Sequence, residues 1–210
     1  MSLQFIMGNS GSGKSYCLYD TVVREAIENP DKNYLVIVPE QFTMQTQKDL
    51  CLAHPKGGIM NIDVLSFGRL AYRVFEEVGQ DARVVLDDEG KNLVLCKIAG
   101  ECEKDLKVFK GNLKKQGYIS EVKSVLSEFA QYGVDFERLD DFMKEVPPES
   151  YLHYKLDDIR TIYEKFEEYL SEKYITKEEM LDVLSDAVPY SDILKGSVVA
   201  MDGFTGFTPV

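Results

Sequence analysis

The sequence has no tryptophan, two histidines and four cysteines in 210 residues. Cys17, Cys51, Cys96 and Cys102 are dispersed without a C-x-x-C pair, and His54 and His153 are remote from each other. Neither a zinc centre nor a disulfide framework is expected, only reduced and mostly buried thiols. No apolar run is long enough to span a bilayer, and no basic leader precedes a signal-like core. A cytoplasmic location without a membrane partner is therefore expected. Positive charge is scarce as well. A net charge of −12 argues against a stand-alone nucleic-acid binder, because attraction to phosphates needs a basic surface. Much of the acidic excess falls around Asp135–Glu149 and Asp157–Asp186, which reads as a solvated face.

Glycine, in contrast, is concentrated where it matters. Gly8-Asn9-Ser10-Gly11-Ser12-Gly13-Lys14-Ser15 fits the phosphate-binding pattern G-x-x-x-x-G-K-[ST] at every required position. The apolar run Leu3–Met7 precedes it with strand length, and Tyr16–Ile27 follows with helical character up to Asn29-Pro30. The glycines let successive backbone N–H groups converge on one anion, and the helix adds its positive N-terminal end. Gly13 leaves room where a β-carbon would meet phosphate. Lys14 is expected to reach the β- and γ-phosphates of a nucleotide, and Ser15 to place its hydroxyl on Mg²⁺. The bland alternative is a glycine-rich turn in front of an ordinary helix.

The pattern along the chain changes twice. Up to about residue 85 strands and helices alternate: Tyr34–Val38 and Ile62–Leu65 read as strands, with helices through Leu50 and from Phe67 to Val78. From 86 to 185 the spacing is helical, as in Ile119, Val122, Val125, Leu126 and Phe129, and an all-helical insertion is expected. Its aromatic residues Tyr118, Tyr132, Tyr151, Tyr163, Phe166 and Tyr169 read as packing core rather than a base-stacking platform. Pro147-Pro148 breaks two helices, and Thr176-Lys177-Glu178-Glu179 has the form of a capping box. Over 186–210 the sheet pattern returns. Val198-Val199-Ala200-Met201-Asp202 has the form of a Walker B strand whose aspartate binds Mg²⁺ through water. The expected fold is α/β, a P-loop NTPase parallel sheet formed by 1–85 and 186–210 around the helical insertion. The sequence stops in mid-pattern after Gly206-Phe207-Thr208-Pro209-Val210, as expected of the N-terminal part of a longer protein.

Val64-Leu65-Ser66-Phe67-Gly68-Arg69-Leu70-Ala71-Tyr72-Arg73 resembles the segment of UvrD-type superfamily 1 helicases that follows the Walker loop and lies near single-stranded DNA. The helical insertion is similar to the 1B subdomain of those enzymes, and the sheet to their 1A subdomain. Gly8–Ser15, Val38-Pro39-Glu40-Gln41-Phe42-Thr43, Ser66–Leu70 and Met201-Asp202-Gly203-Phe204-Thr205-Gly206-Phe207-Thr208-Pro209 together resemble AddB, the B-subunit family of the AddAB helicase–nucleases. The resemblance implies an ATP-binding, helicase-like region of an ATP-dependent helicase and exodeoxyribonuclease that processes double-strand breaks for recombinational repair. It also implies an AddA-like motor subunit as heterodimeric partner and DNA bound by the full assembly. An iron–sulfur cluster and nuclease are implied only in a distant C-terminal domain. On this resemblance Ser66, Arg69 and Arg73 would contact DNA phosphates, with Phe67 either stacking on a base or buried.

The sequence also departs from the helicases. Where UvrD-type motors carry Asp-Glu, Asp202 is followed by Gly203, and only seven residues precede Gly8, leaving no room for a Q motif. Nucleotide binding without efficient hydrolysis is therefore the expectation. Two other classes compete. A small-molecule P-loop kinase would need an arginine-bearing lid, and Arg138 and Arg160 are the only arginines in 85–210. An interaction scaffold with a vestigial loop would not need the intact Lys14-Ser15.

Overall fold

The computed structural model describes residues 3–79, 83–112, 115–171 and 173–207, the side chain of Gln116 excepted. Its elements follow in the order α1 (Lys14–Glu28), β1 (Asn33–Ile37), α2 (Thr43–Ala53), β2 (Ile62–Leu65), α3 (Phe67–Val78), β3 (Val84–Leu86) and α4 (Asp88–Cys102). The chain continues with α5 (Gln116–Gln131), α6 (Phe136–Glu145), α7 (Tyr151–Leu170), β4 (Tyr174–Thr176), α8 (Glu179–Ala187), α9 (Asp192–Lys195) and β5 (Ser197–Met201). The architecture is α/β, with a small parallel sheet and many helices. Two compact units result, Met1–Gln80 with Val183–Phe207 and, separately, Asp81–Asp182.

In the first unit the sheet has the order β2-β1-β5 and every pair is parallel. Tyr34 stands beside Ile62 on one side and Val198 on the other. Because β1 is central it must be apolar on both faces, and its run Tyr34-Leu35-Val36-Ile37 is buried throughout. Tyr34, Val36 and Val38 pack against Val22, Val23 and Ala26 of α1 and Leu50 of α2. Leu35 and Ile37 project to the opposite face, where they are equally buried. Helix α1 ends where the Asn61 amide donates to the carbonyls of Ala26, Asn29 and Lys32, closing orphan acceptors at its C-terminus. In α3, Leu70, Ala71, Val74 and Phe75 form one buried stripe between the Ser66 cap and a left-handed Gly79.

One expected strand is not formed. Leu3–Met7 has no regular structure, and Leu3, Phe5 and Met7 are exposed. Apolar composition suits a strand, but only a partner edge makes one, and this segment joins no ladder. Among the described residues strand β5 pairs with β1 alone, which leaves its outer edge open, and Val198, Val199 and Met201 are exposed.

The second unit is built on α4, α5 and α7, whose Leu95, Ile98, Ile119, Val122, Leu126, Ile159, Ile162 and Phe166 share one core. Leu139, Val146 and Leu156 tie α6 to α7 in a smaller cluster. The expectation of an all-helical segment over 86–185 is corrected here, because β4 pairs in parallel with β3, Val85 opposite Ile175. Three-residue strands are too short to leave a period in the sequence, and pairing alone creates them. The aromatic residues divide. Tyr163 and Phe166 pack as expected, whereas Tyr118, Tyr132, Tyr151 and Tyr169 are exposed. The capping box forms: Thr176 Oγ1 accepts from the Glu179 amide at 3.3 Å, and Glu179 accepts from the Thr176 amide at 2.6 Å.

Charge also enters this second core. Lys91, 3% exposed, donates to both carboxylate oxygens of Glu178 at 2.9 and 2.8 Å and to Ser127. Burial pushes the Glu178 carboxyl up, but the Lys91 ammonium outweighs that and holds it below the usual range. These groups line a cavity of about 120 Å³ together with Lys123, Glu167, Glu179 and Asp182. At Glu167 burial, and then the Glu179 charge, pushes the carboxyl up to about 7.

Candidate nucleotide-binding site

The glycine loop rises directly into α1. Gly11 and Gly13 take left-handed conformations, φ +75° and +84°, which residues with a β-carbon rarely adopt. The Ser12 amide donates to the Asn9 carbonyl at 3.2 Å, folding the loop back on itself. A β-carbon on Gly8 would collide with the Ser12 hydroxyl. Lys14 is the first helical residue, and its ammonium donates to the carbonyls of Gly8 at 3.0 Å and Asn9 at 2.9 Å. The cation is thus held over the mouth of its own loop. No side chain caps α1, so its first-turn N–H groups point outward unclaimed beside an exposed Ser15. Open amides, a lysine and a hydroxyl are the donor set that a phosphate–Mg²⁺ group requires.

Asp202 sits just beyond β5, its amide donating to the Ile37 carbonyl at 3.1 Å. Its carboxylate accepts from the Tyr19 hydroxyl at 2.9 Å, and Tyr19 also meets Thr46 of α2 at 3.2 Å. Burial, followed by the bond and charge of Asp202, pushes the Tyr19 hydroxyl up to about 12, with Thr46 opposing. Tyr19 lies one turn beyond Ser15 on the same face of α1, so its bond brings Asp202 to the side of the helix that Ser15 opens. The sequence contained a signal for Tyr19, its i+4 spacing from Ser15, but none for Thr46.

The loops that follow the three parallel strands gather at their carboxyl ends, where open α/β sheets bind ligands. Gly203 takes φ +79°, which residues with a β-carbon rarely adopt, although a β-carbon there would meet Pro39 at 3.4 Å and Phe42 at 3.5 Å only in ordinary contact. The position after Asp202 is therefore left-handed. Phe67 packs on Phe204 with centroids 5.4 Å apart, and Phe204 on Phe207. Ser66 is buried and caps α3 by accepting from the Arg69 amide. Arg73 bonds Asp63 at 2.6 Å, and Arg69 forms an exposed pair with Glu40 at 3.5 Å. Of these four residues only Arg69 presents a largely exposed charge.

Among the described residues no group of three or more His, Cys, Asp or Glu side chains is arranged to hold a metal. Cys102 is buried, Cys51 is half-buried, and Cys17 and Cys96 are exposed, so the thiols are less buried than expected. No described helix is long and apolar enough to cross a membrane.

The family profile described as ADDB, N-terminal, matches residues 5–210. The chain belongs to the AddB N-terminal family. The B subunit of the ATP-dependent helicase/deoxyribonuclease from Lachnoclostridium phytofermentans is 49% identical over 209 residues, covering 100% of this chain and 18% of that protein. The corresponding B subunits from Clostridium kluyveri and Clostridium tetani are 40% and 37% identical with the same coverage. The chain thus spans about 18% of the length of these curated relatives.

Proposed function

We propose that this chain is the nucleotide-binding, helicase-like region of the B subunit of an ATP-dependent helicase–nuclease that processes DNA breaks. The single observation that carries the reading is the glycine loop with Lys14 poised over it at the open N-terminus of α1. Gly8–Ser15 would cradle the phosphates, Lys14 would neutralise their charge, and Ser15 with Asp202 would hold Mg²⁺. When bound, the ion supplies charge neutralisation of the phosphate oxygens. Tyr19 orients Asp202 through its hydrogen bond. The fold we assign to the first unit is a P-loop core, built on the parallel sheet β2-β1-β5.

The site supports binding better than hydrolysis. Gly203 carries no carboxylate, and its left-handed backbone disfavours one. The motor activity would then belong to an AddA-like partner subunit, with this region acting as a nucleotide-responsive scaffold. Ser66 and Arg73 are engaged inside the fold, so of the suggested DNA contacts Arg69 is the one with a charge to offer, its exposed Glu40 pair being weak.

Titration of a fluorescent ATP analogue with Mg²⁺ tests the assignment. Lys14→Ala should weaken binding at least tenfold while leaving the fold intact. Equal affinity for wild type and variant would reduce the loop to a turn and favour the pure scaffold.

A further inference from the structure

The acidic second unit contains a locally basic segment in the connection between α4 and α5. Within it Lys104, Lys107, Lys110 and Lys115 are exposed, while Leu106 and Phe109 turn inward, 3% and 6% exposed. Opposing charge on the loop is limited to Glu103 and Asp105. Its residues 107–109 are firmly held. Asp158 of α7, 1% exposed, accepts from the amides of Lys107, Val108 and Phe109 at 2.8, 2.7 and 2.8 Å. A carboxylate taking three N–H groups fixes the backbone, so the lysines stand on a preorganised platform. Successive turns, Asp105 to Cys102, Asn112 to Phe109 and Lys115 to Asn112, complete it.

Two aromatic rings adjoin these cations. Lys107 lies 4.9 Å from the centroid of Tyr154 and pairs with Asp157, and Lys115 lies 6.0 Å from that of Tyr118. Tyr118 is 40% exposed and rests edge-on against the buried Phe109 ring. Lys104 and Lys110 form no ion pair with a described residue. In a chain of net charge −12 these lysines gather positive charge on one surface beside a supported tyrosine, which a polyanion would complement.

The geometry points to the α4–α5 loop as a nucleic-acid backbone contact, Lys104, Lys107, Lys110 and Lys115 meeting phosphates and Tyr118 offering a ring face to a sugar or base. This rests on the helicase–nuclease reading above. It deepens that reading by moving the DNA contact from the Ser66–Arg73 segment, whose side chains are mostly engaged, to a surface in the other unit. Lysines contribute as point charges here, so the contact would hold DNA without reading its sequence.

The test uses the full-length subunit with its partner subunit and a 30-base-pair duplex with a single-stranded tail, by fluorescence anisotropy across a salt series. Replacing the four lysines by glutamine should weaken binding roughly tenfold or more at 0.1 M salt and flatten the salt dependence by about three phosphate contacts. Lys144→Gln with Lys177→Gln on the same unit should change neither. In unaltered protein the duplex should shield Lys104, Lys107, Lys110 and Lys115 from acetylation while Lys144 and Lys177 stay reactive. Unchanged affinity and slope, or shielding produced by the partner subunit without DNA, would overturn the contact. Absence of any duplex binding by the wild-type assembly would overturn the helicase–nuclease reading together with it, whereas nucleotide binding at Lys14 reports on that reading alone.

Discussion

The two units place their charges in opposite ways. In the first, the central strand carries no ionisable group but Tyr34, both faces of β1 are apolar, and the polar side chains of interest stand where the strands end. In the second, Lys91 and Asp158 are nearly inaccessible and each holds together elements remote in sequence. A parallel sheet satisfies its backbone through its own ladders, so its core needs only hydrocarbon and its loops are released for binding. The helical unit carries a long connection that its one short described ladder, β3 with β4, does not include. It pins the α4–α5 loop and the turn before α8 with buried ions, which act as specific fasteners rather than as a source of net stability.

The largest effect should therefore follow from removing one partner of a buried ionic contact. Asp158→Ala strands three amides, one of them on buried Phe109, and should destabilise the second unit by about 3–4 kcal/mol in urea unfolding. Faster amide exchange should appear first at residues 107–109; undisturbed exchange there would show that the loop is held by Leu106 and Phe109 alone.

Next, Lys91→Met should cost about 3 kcal/mol by leaving Glu178 buried without its cation, whereas Lys91→Met with Glu178→Leu should recover most of the loss. A double variant as unstable as the single one would make the pair a true source of stability and weaken the contrast between the units. In the first unit the comparable perturbation is hydrocarbon: Leu35→Ala should cost about 2–5 kcal/mol with no rescue by a second polar change.

A smaller, pH-dependent effect is expected at Glu167. Its carboxyl, raised to about 7, faces Glu179, Glu178 and Asp182 as well as the cations Lys91 and Lys123 across the cavity, with Tyr163 on its own helix. The native state holds this proton more tightly than the unfolded chain does, so its contribution is fully present below the ordinary glutamate range and is lost as pH rises through about 7. Glu167→Gln should raise the Tm by a few degrees at pH 8 and leave it unchanged at pH 4, as read by calorimetry. The smallest effect belongs to the cap: Ser66→Ala should cost about 1 kcal/mol, confined to α3.

Much of the first unit was legible because each signal was local. Continuous β-branched runs marked β1 and β5, the span Phe67–Val78 coincides with α3, and the glycine spacing marked the loop that Lys14 closes. The Thr176–Glu179 box was readable for the same reason, since both partners lie within four residues. Tyr19 and Asp202, by contrast, are joined across 183 positions, and no period links them. The basic loop was hidden in the acidic average of its surroundings, and the exposure of Tyr118, Tyr132, Tyr151 and Tyr169 contradicts their reading as packing core.

By itself the sequence determined which segment would be a strand buried on two faces, where α3 and α8 begin, and that a glycine-rich loop hands its lysine to the start of α1. These depend on neighbours within a turn or two, and backbone sterics and hydrogen bonding act over that range. Only the tertiary structure decided that Leu3–Met7 stays unpaired, that β3 and β4 exist at all, and that Asp158 and Lys91 serve as fasteners. Strand pairing and burial of charge are properties of two distant segments brought into contact, and their energies have no counterpart in either segment alone.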